Sequence, residues 1–200
     1  MSLFSFFSEQ LFQSTGFWVV DSFFNGSYLD ELSVVLGQKA SRKSGQAVEG
    51  ASEIYRSEPR VDALLTKAGF PSTSLLQSRF QLRVVHDQYV VKPPGVELDL
   101  PWHQDSAYYG DGDTLTAYIA LSENHPPDNP LEVVIGSHLS GSQPHQNGAV
   151  TNAAQFDMHK TRVELARGSV FFGHAHLVHR GCSNMGIKPS ASYSLVLAKC

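Results

Sequence analysis

A chain of 200 residues with 42% apolar and 17% charged side chains can bury one sizeable core and is too apolar to be disordered. Its net charge of −4 provides no general attraction for nucleic acid or anionic lipid, and no Lys/Arg run offers a local one. Two cysteines, Cys182 and Cys200, make neither a disulfide framework nor a metal-binding pair, so a reducing, cytoplasmic setting is expected.

The N-terminus, from Met1 to Gln10, is apolar but lacks a basic leader and is interrupted by Glu9, so it reads as a lead-in helix rather than a signal peptide. No run approaches the roughly 18 apolar residues of a membrane span. Ser8 to Thr15 reads as a short helix stopped by Gly16, and Phe17 to Val20 as a strand. Tyr28 to Gly37 places Leu29, Leu32, Val35 and Leu36 at helical spacing. Lys39 to Ser52 is polar, Gly/Ser-rich and without period, hence a loop and a candidate lid. A second helix follows Glu58, with Val61, Leu64 and Leu65 on one face and Gly69 beyond its end.

From Phe80 onward the chain turns strand-rich. Phe80 to Val91 carries β-branched and aromatic residues and is broken by Lys92-Pro93-Pro94-Gly95. Further strands are expected at Thr114 to Leu121, Leu131 to Ile135, Val163 to Leu165, Ser169 to Phe172, His176 to His179 and Tyr193 to Leu197, with 139–158 as loop. Helices first and then short strands with turns between them predict a mainly β protein. The expected core is a double-stranded β-helix (jelly roll) with N-terminal flanking α-helices, in one domain over residues 1–200.

One stretch carries chemistry: Leu100-Pro-Trp-His-Gln-Asp-Ser-Ala-Tyr-Tyr109. On extended backbone His103 and Asp105 point the same way, which supplies two thirds of a 2-His-1-carboxylate iron site. Alone, His-x-Asp is weak evidence. The segment from Gly168 to Asn184 adds three candidates for a third ligand, His174, His176 and His179, each of which could equally be a packing histidine.

Taken in order, His86 to Gly95, Pro101 to Tyr109, Thr114 to Leu121, Gly136-Ser137-His138 and Gly168 to His174 with His179 and Asn184 resemble the phytanoyl-CoA dioxygenase family of Fe(II)/2-oxoglutarate oxygenases. The resemblance spans roughly residues 10 to 197, and its motifs are specific together though not singly. It implies that His103, Asp105 and His179 are the catalytic iron ligands, with His174 and His176 non-ligands. It also implies Fe(II) and 2-oxoglutarate as cofactors, O2 and a small molecule as reaction partners, and hydroxylation as the outcome, because an aspartate stands where halogenases of related folds carry Gly or Ala. Gln88 and Tyr118 match positions that line the cosubstrate pocket, and Trp102 and Tyr108 are candidates for substrate contact.

One departure stands out. The family places an arginine eleven residues after the distal histidine to hold the far carboxylate of 2-oxoglutarate, and here that position is Ser190. Lys92 or Lys188 could replace it; alternatively the pocket takes a different oxo-acid or none, or the chain is a metal-binding homologue without turnover.

Overall fold

The structure, a computed structural model, describes residues 9–40, 49–95, 97, 99–110, 114–122 and 130–200. In chain order its elements are α1 (Glu9–Thr15), β1 (Phe17–Val20), α2 (Gly26–Gly37), β2 (Glu49–Ser52), α3 (Ile54–Ser57), α4 (Pro59–Lys67), α5 (Thr73–Phe80) and β3 (Leu82–Lys92). There follow α6 (Ser106–Tyr109), β4 (Thr114–Ala120), β5 (Leu131–Val134), a 3-10 turn (Ser137–Ser140), β6 (His145–Gln146), β7 (Ala149–Val150) and α7 (Ala153–Asp157). The chain ends with β8 (Lys160–Val163), β9 (Val170–His174), β10 (His179–Gly181) and β11 (Ser190–Lys199).

All pairings are antiparallel: a six-stranded sheet in the order β1-β9-β4-β11-β3-β2 and a three-stranded sheet in the order β10-β5-β8. This is the expected jelly-roll core. Period-2 alternation gives the large sheet two different faces. Tyr193, Leu195 and Leu197 of β11, Ala117 and Ile119 of β4, and Val170 and Phe172 of β9 join the main core cluster. Against that face pack Leu29, Leu32, Val35 and Leu36 of α2, Val61, Leu64 and Leu65 of α4, and Leu76 of α5. The opposite face is hydroxyl-rich and lines a cavity, described below.

Local chemistry explains the helix boundaries. Asn25 caps α2 by accepting from the Ser27 and Tyr28 amides, and Pro59 opens α4 in the one helical turn where a missing N–H costs nothing. The Ser72 hydroxyl accepts from the Leu75 amide at the start of α5. That helix buries only Leu76, so its apolar period is faint, and Phe80 closes it rather than opening the next strand. Gln81, in left-handed backbone at φ 53°, separates α5 from β3.

Elsewhere the expected loop over 139–158 contains the β6–β7 hairpin and α7, and the strand expected at 163–165 lies at Lys160–Val163. His176 sits in a turn, with the strand beginning only at His179. The end of the expected lid loop, 49–52, is the edge strand β2 paired to β3; residues 41–48 lie outside the described ones, as do Ser8, 111–113 and 123–129.

Helices and sheet are tied by one buried carboxylate. Asp87, 2% exposed, accepts from the Ile54 amide at 2.9 Å and from the Tyr193 hydroxyl at 3.0 Å. Burial pushes Asp87 above the usual carboxylate range, while these two bonds oppose the shift. Tyr193→Phe removes one donor from a group that water cannot reach, and is expected to cost about 1–3 kcal/mol of stability in chemical denaturation. An unchanged midpoint would show that the tie contributes nothing.

Candidate metal centre and its cavity

The segment carrying His103 lies along β10. His103 N–H donates to His179 O and His179 N–H to His103 O, both at 3.0 Å, so the two imidazoles start from directly opposed residues. Their ring centroids are 4.3 Å apart. Asp105 follows two positions on, held where the Ser106 amide donates to Ala175 O at 3.1 Å, and its Oδ1 lies 3.9 Å from His179 Nε2. One donor atom from each of His103, Asp105 and His179 falls within 4.8 Å of the others.

The imidazoles are set for a cation. His103 Nδ1 lies 2.8 Å from Pro101 O and His179 Nδ1 lies 2.9 Å from Leu177 O. A carbonyl only accepts, so each Nδ1 carries the proton and each Nε2 presents a lone pair. Burial, and then the neighbouring His179, push the His103 pKa below the ordinary imidazole range, which keeps it in the neutral form a metal requires. Asp105 Oδ2 accepts a hydrogen bond from Thr116 Oγ1 on β4, leaving Oδ1 turned to the histidines. These residues fit a 2-His-1-carboxylate iron site.

What lies between and beside the ligands faces away from the cavity. Gln104, 1% exposed, donates from Nε2 to His176 O at 2.6 Å and Gly141 O at 3.0 Å, and its Oε1 accepts from the Gln143 amide at 2.7 Å. Arg180 stacks over Trp102, with its guanidinium carbon 4.5 Å from the ring centroid, and bonds Glu132 at 2.8 Å. Burial alone would push Glu132 up, but Arg180 and Arg162 outweigh it and hold the carboxylate below its usual range.

Trp102 is therefore placed in a core cluster with Val134, Val150, Phe156 and Val178, donating to Asp157 at 3.2 Å, and does not line the cavity. The expectation of substrate contact is corrected there: alternation turns 102 away when 103 points in. Tyr108 is half exposed and stands edge-on to His103 at 5.9 Å, over Gly148, where an added Cβ would meet its ring at 2.4 Å or less. It covers the histidine from outside, while its neighbour Tyr109 lines the cavity, its phenol pushed up to about 12 by burial and by Asp105.

The cavity lies between the two sheets and measures about 940 Å³ including its open mouth. Gln88 and Lys92 of β3, Thr116 and Tyr118 of β4, and Ser192 and Ser194 of β11 form its polar floor beneath His103, Asp105 and His179. Among the described lining residues, Lys92 is the one lysine or arginine. Its Nζ donates to Cys182 O at 2.6 Å and lies 3.1 Å from where a Cβ on Gly181 would be. Ser190 is buried and directly opposite Lys92 in the β3–β11 register. Lys188 does not reach the cavity: its side chain is exposed, and its carbonyl accepts from Asn184 Nδ2 at 2.8 Å.

Thr116 and Gly181 carry no role in the sequence reading. Thr116 was within reach of it, being two residues before Tyr118 on the same strand; the part played by Gly181 depends on a contact 89 positions away in sequence, with Lys92.

The family model described as "Phytanoyl-CoA dioxygenase (PhyH)" matches residues 12–189. A phytanoyl-CoA dioxygenase of Arabidopsis thaliana is 24% identical, over 79% of this chain and 57% of that protein, so the chain spans little more than half the length of this curated relative. Among solved structures, EvdO2 from Micromonospora carbonacea var. aurantiaca, complexed with 2-oxoglutarate, is 17% identical with a TM-score of 0.78, covering 100% of this chain and 94% of that one. EctD from S. alaskensis with bound Fe is 18% identical with a TM-score of 0.76, covering 96% of this chain and 77% of that one. With the match running from α1 almost to β11, this chain belongs to the phytanoyl-CoA dioxygenase family.

Proposed function

We propose that this protein is a mononuclear Fe(II)- and 2-oxoglutarate-dependent dioxygenase that hydroxylates a small molecule, with O2 as second substrate, through a single domain in the cytoplasm. The observation that carries the reading is the convergence of His103, Asp105 and His179 on the same cavity that holds the Lys92 ammonium. No helix among the described residues is long and apolar enough to cross a membrane.

Bound at the triad, Fe(II) would activate O2, one oxygen atom of which converts substrate C–H to C–OH while the other goes into the succinate formed, with CO2, from 2-oxoglutarate. The chain contributes the rest. His103 and His179 offer neutral Nε2 atoms held by their Nδ1 bonds, and Asp105 contributes one carboxylate oxygen. Lys92 receives the distal carboxylate of the oxo-acid in the cavity that Gln88 and Tyr118 also line, and Ser190 stands opposite it on the adjacent strand. Phe171, Leu131 and Val90 supply apolar wall that limits water at the reacting centre.

Anaerobic addition of 2-oxoglutarate to the Fe(II)-loaded protein is expected to raise a visible metal-to-ligand charge-transfer band. Stoichiometric iron binding with no band would overturn the oxo-acid assignment and leave the metal site standing.

A further inference from the structure

We infer that Thr116 is a positioning residue that keeps Asp105 a one-oxygen ligand and thereby preserves the metal positions that the oxo-acid and O2 need; this rests on the iron-site reading above. Thr116 Oγ1 donates to Asp105 Oδ2, and among the described residues no other side chain donates to that carboxylate. The other oxygen, Oδ1, is the one that faces His179 Nε2, at 3.9 Å.

Backbone bonds fix where Asp105 starts but not how its carboxylate is turned. Its carbonyl accepts from the Tyr108 and Tyr109 amides at 3.0 and 3.1 Å, which anchors the main chain at the start of α6. The terminal torsion of an aspartate is broad and two-fold, so rotation could bring both oxygens towards a cation. Thr116 opposes that rotation from a rigid base. It is β-branched, and it sits in β4 between β9 and β11, opposite Gly173 on one side and Val196 on the other.

The consequence is a matter of counting. Two imidazoles and one carboxylate oxygen would hold a six-coordinate ion by three donors, which would leave three positions: two for a chelating oxo-acid and one for O2. A chelating carboxylate would occupy a fourth and compete with one of them. Loss of the Thr116 hydroxyl should therefore spare metal affinity while weakening the cosubstrate. A purely structural role would do the reverse, lowering metal affinity together with stability.

The test uses the full chain, with Co(II) and then Fe(II) as metal probes. Thr116→Val is expected to bind Co(II) as tightly as wild type or tighter, to change the Co(II) d–d spectrum, and to bind 2-oxoglutarate about tenfold more weakly by the charge-transfer band. Thr116→Ser is expected to restore both. Thr114→Val removes from the same strand a buried hydroxyl with no hydrogen-bond partner among the described residues, and is expected to leave both readouts unchanged. If the valine variant does not fold, Thr116→Ala carries the same comparison. A wild-type spectrum and cosubstrate affinity in Thr116→Val, or parallel loss of Co(II) affinity and melting temperature, would overturn the inference. Failure of the wild type to bind Co(II) at all would overturn the iron-site reading beneath it.

Discussion

Asp105→Ala is expected to abolish tight Fe(II) binding and, with it, any 2-oxoglutarate turnover. The variant removes the only anionic donor of the triad and leaves two neutral imidazoles whose Nε2 atoms are already oriented. Two imidazoles alone no longer make the 2-His-1-carboxylate donor set, and the negative charge that offsets the cation is gone, so the loss of affinity should be large. The fold should survive. His103 and His179 remain joined by their reciprocal 3.0 Å backbone bonds, and Gln104 keeps its three bonds on the outer side. Anaerobic equilibrium dialysis against Fe(II), with melting temperature as the control, reads both quantities. Wild-type affinity in Asp105→Ala would remove the triad from consideration. Asp105→Asn adds a graded comparison: it keeps an oxygen of the same shape without the charge, and should bind iron more weakly than wild type but better than alanine.

Most of the frame was legible because it rests on local signals. The helical period in α2 and α4 identified the side chains that are buried, Leu29, Leu32, Val35 and Leu36, then Val61, Leu64 and Leu65. The strands β1, β4 and β5 were legible within a residue of their ends from β-branched and aromatic runs. Where a signal was faint the reading slipped. Helix α5 has one buried residue and went unassigned, its last residue Phe80 being read into the strand after it, and the small elements over 139–158 have too little apolar pattern to stand out.

Sidedness was the harder quantity. Trp102 and His103 are adjacent in sequence, yet one belongs to an outer core with Phe156 and Arg180 and the other to the cavity. Composition favours an aromatic beside a ligand as a pocket wall; alternation decides against it. Between Lys92, which follows the strand of Gln88 and is preferred for that, and Lys188, two residues from Ser190, sequence decides only narrowly; the register of β11 against β3 places Lys92 across from that serine.

That register yields the second large expected effect. Lys92→Met should weaken 2-oxoglutarate about 10–150-fold, the equivalent of losing a charge-assisted hydrogen bond of about 1.5–3 kcal/mol, with no change in metal affinity. Lys188→Ala, with its side chain in solvent, should change neither. Burial pushes the Lys92 pKa below the ordinary lysine range, opposed by the nearby Cys182 and Asp99. The ammonium is therefore lost at lower pH than in an exposed lysine, so oxo-acid affinity should fall as pH rises through that depressed pKa. Lys92→Arg should flatten the alkaline limb, since a guanidinium does not deprotonate there. Gly181→Ala should also weaken binding, because the new Cβ would crowd Nζ at 3.1 Å in backbone that accepts alanine. The decisive variant moves the cation across the sheet. Directly opposed residues of an antiparallel pair share a face at about 4.5–5.5 Å between Cβ atoms. Adding Ser190→Arg to Lys92→Met should thus recover much of the lost affinity, measured by titrating the charge-transfer band. Unchanged affinity in Lys92→Met, or a loss confined to Lys188→Ala, would place the carboxylate anchor elsewhere. Recovery by the double variant would show that the position vacated by the family's arginine still faces the same pocket, with its charge carried by the neighbouring strand.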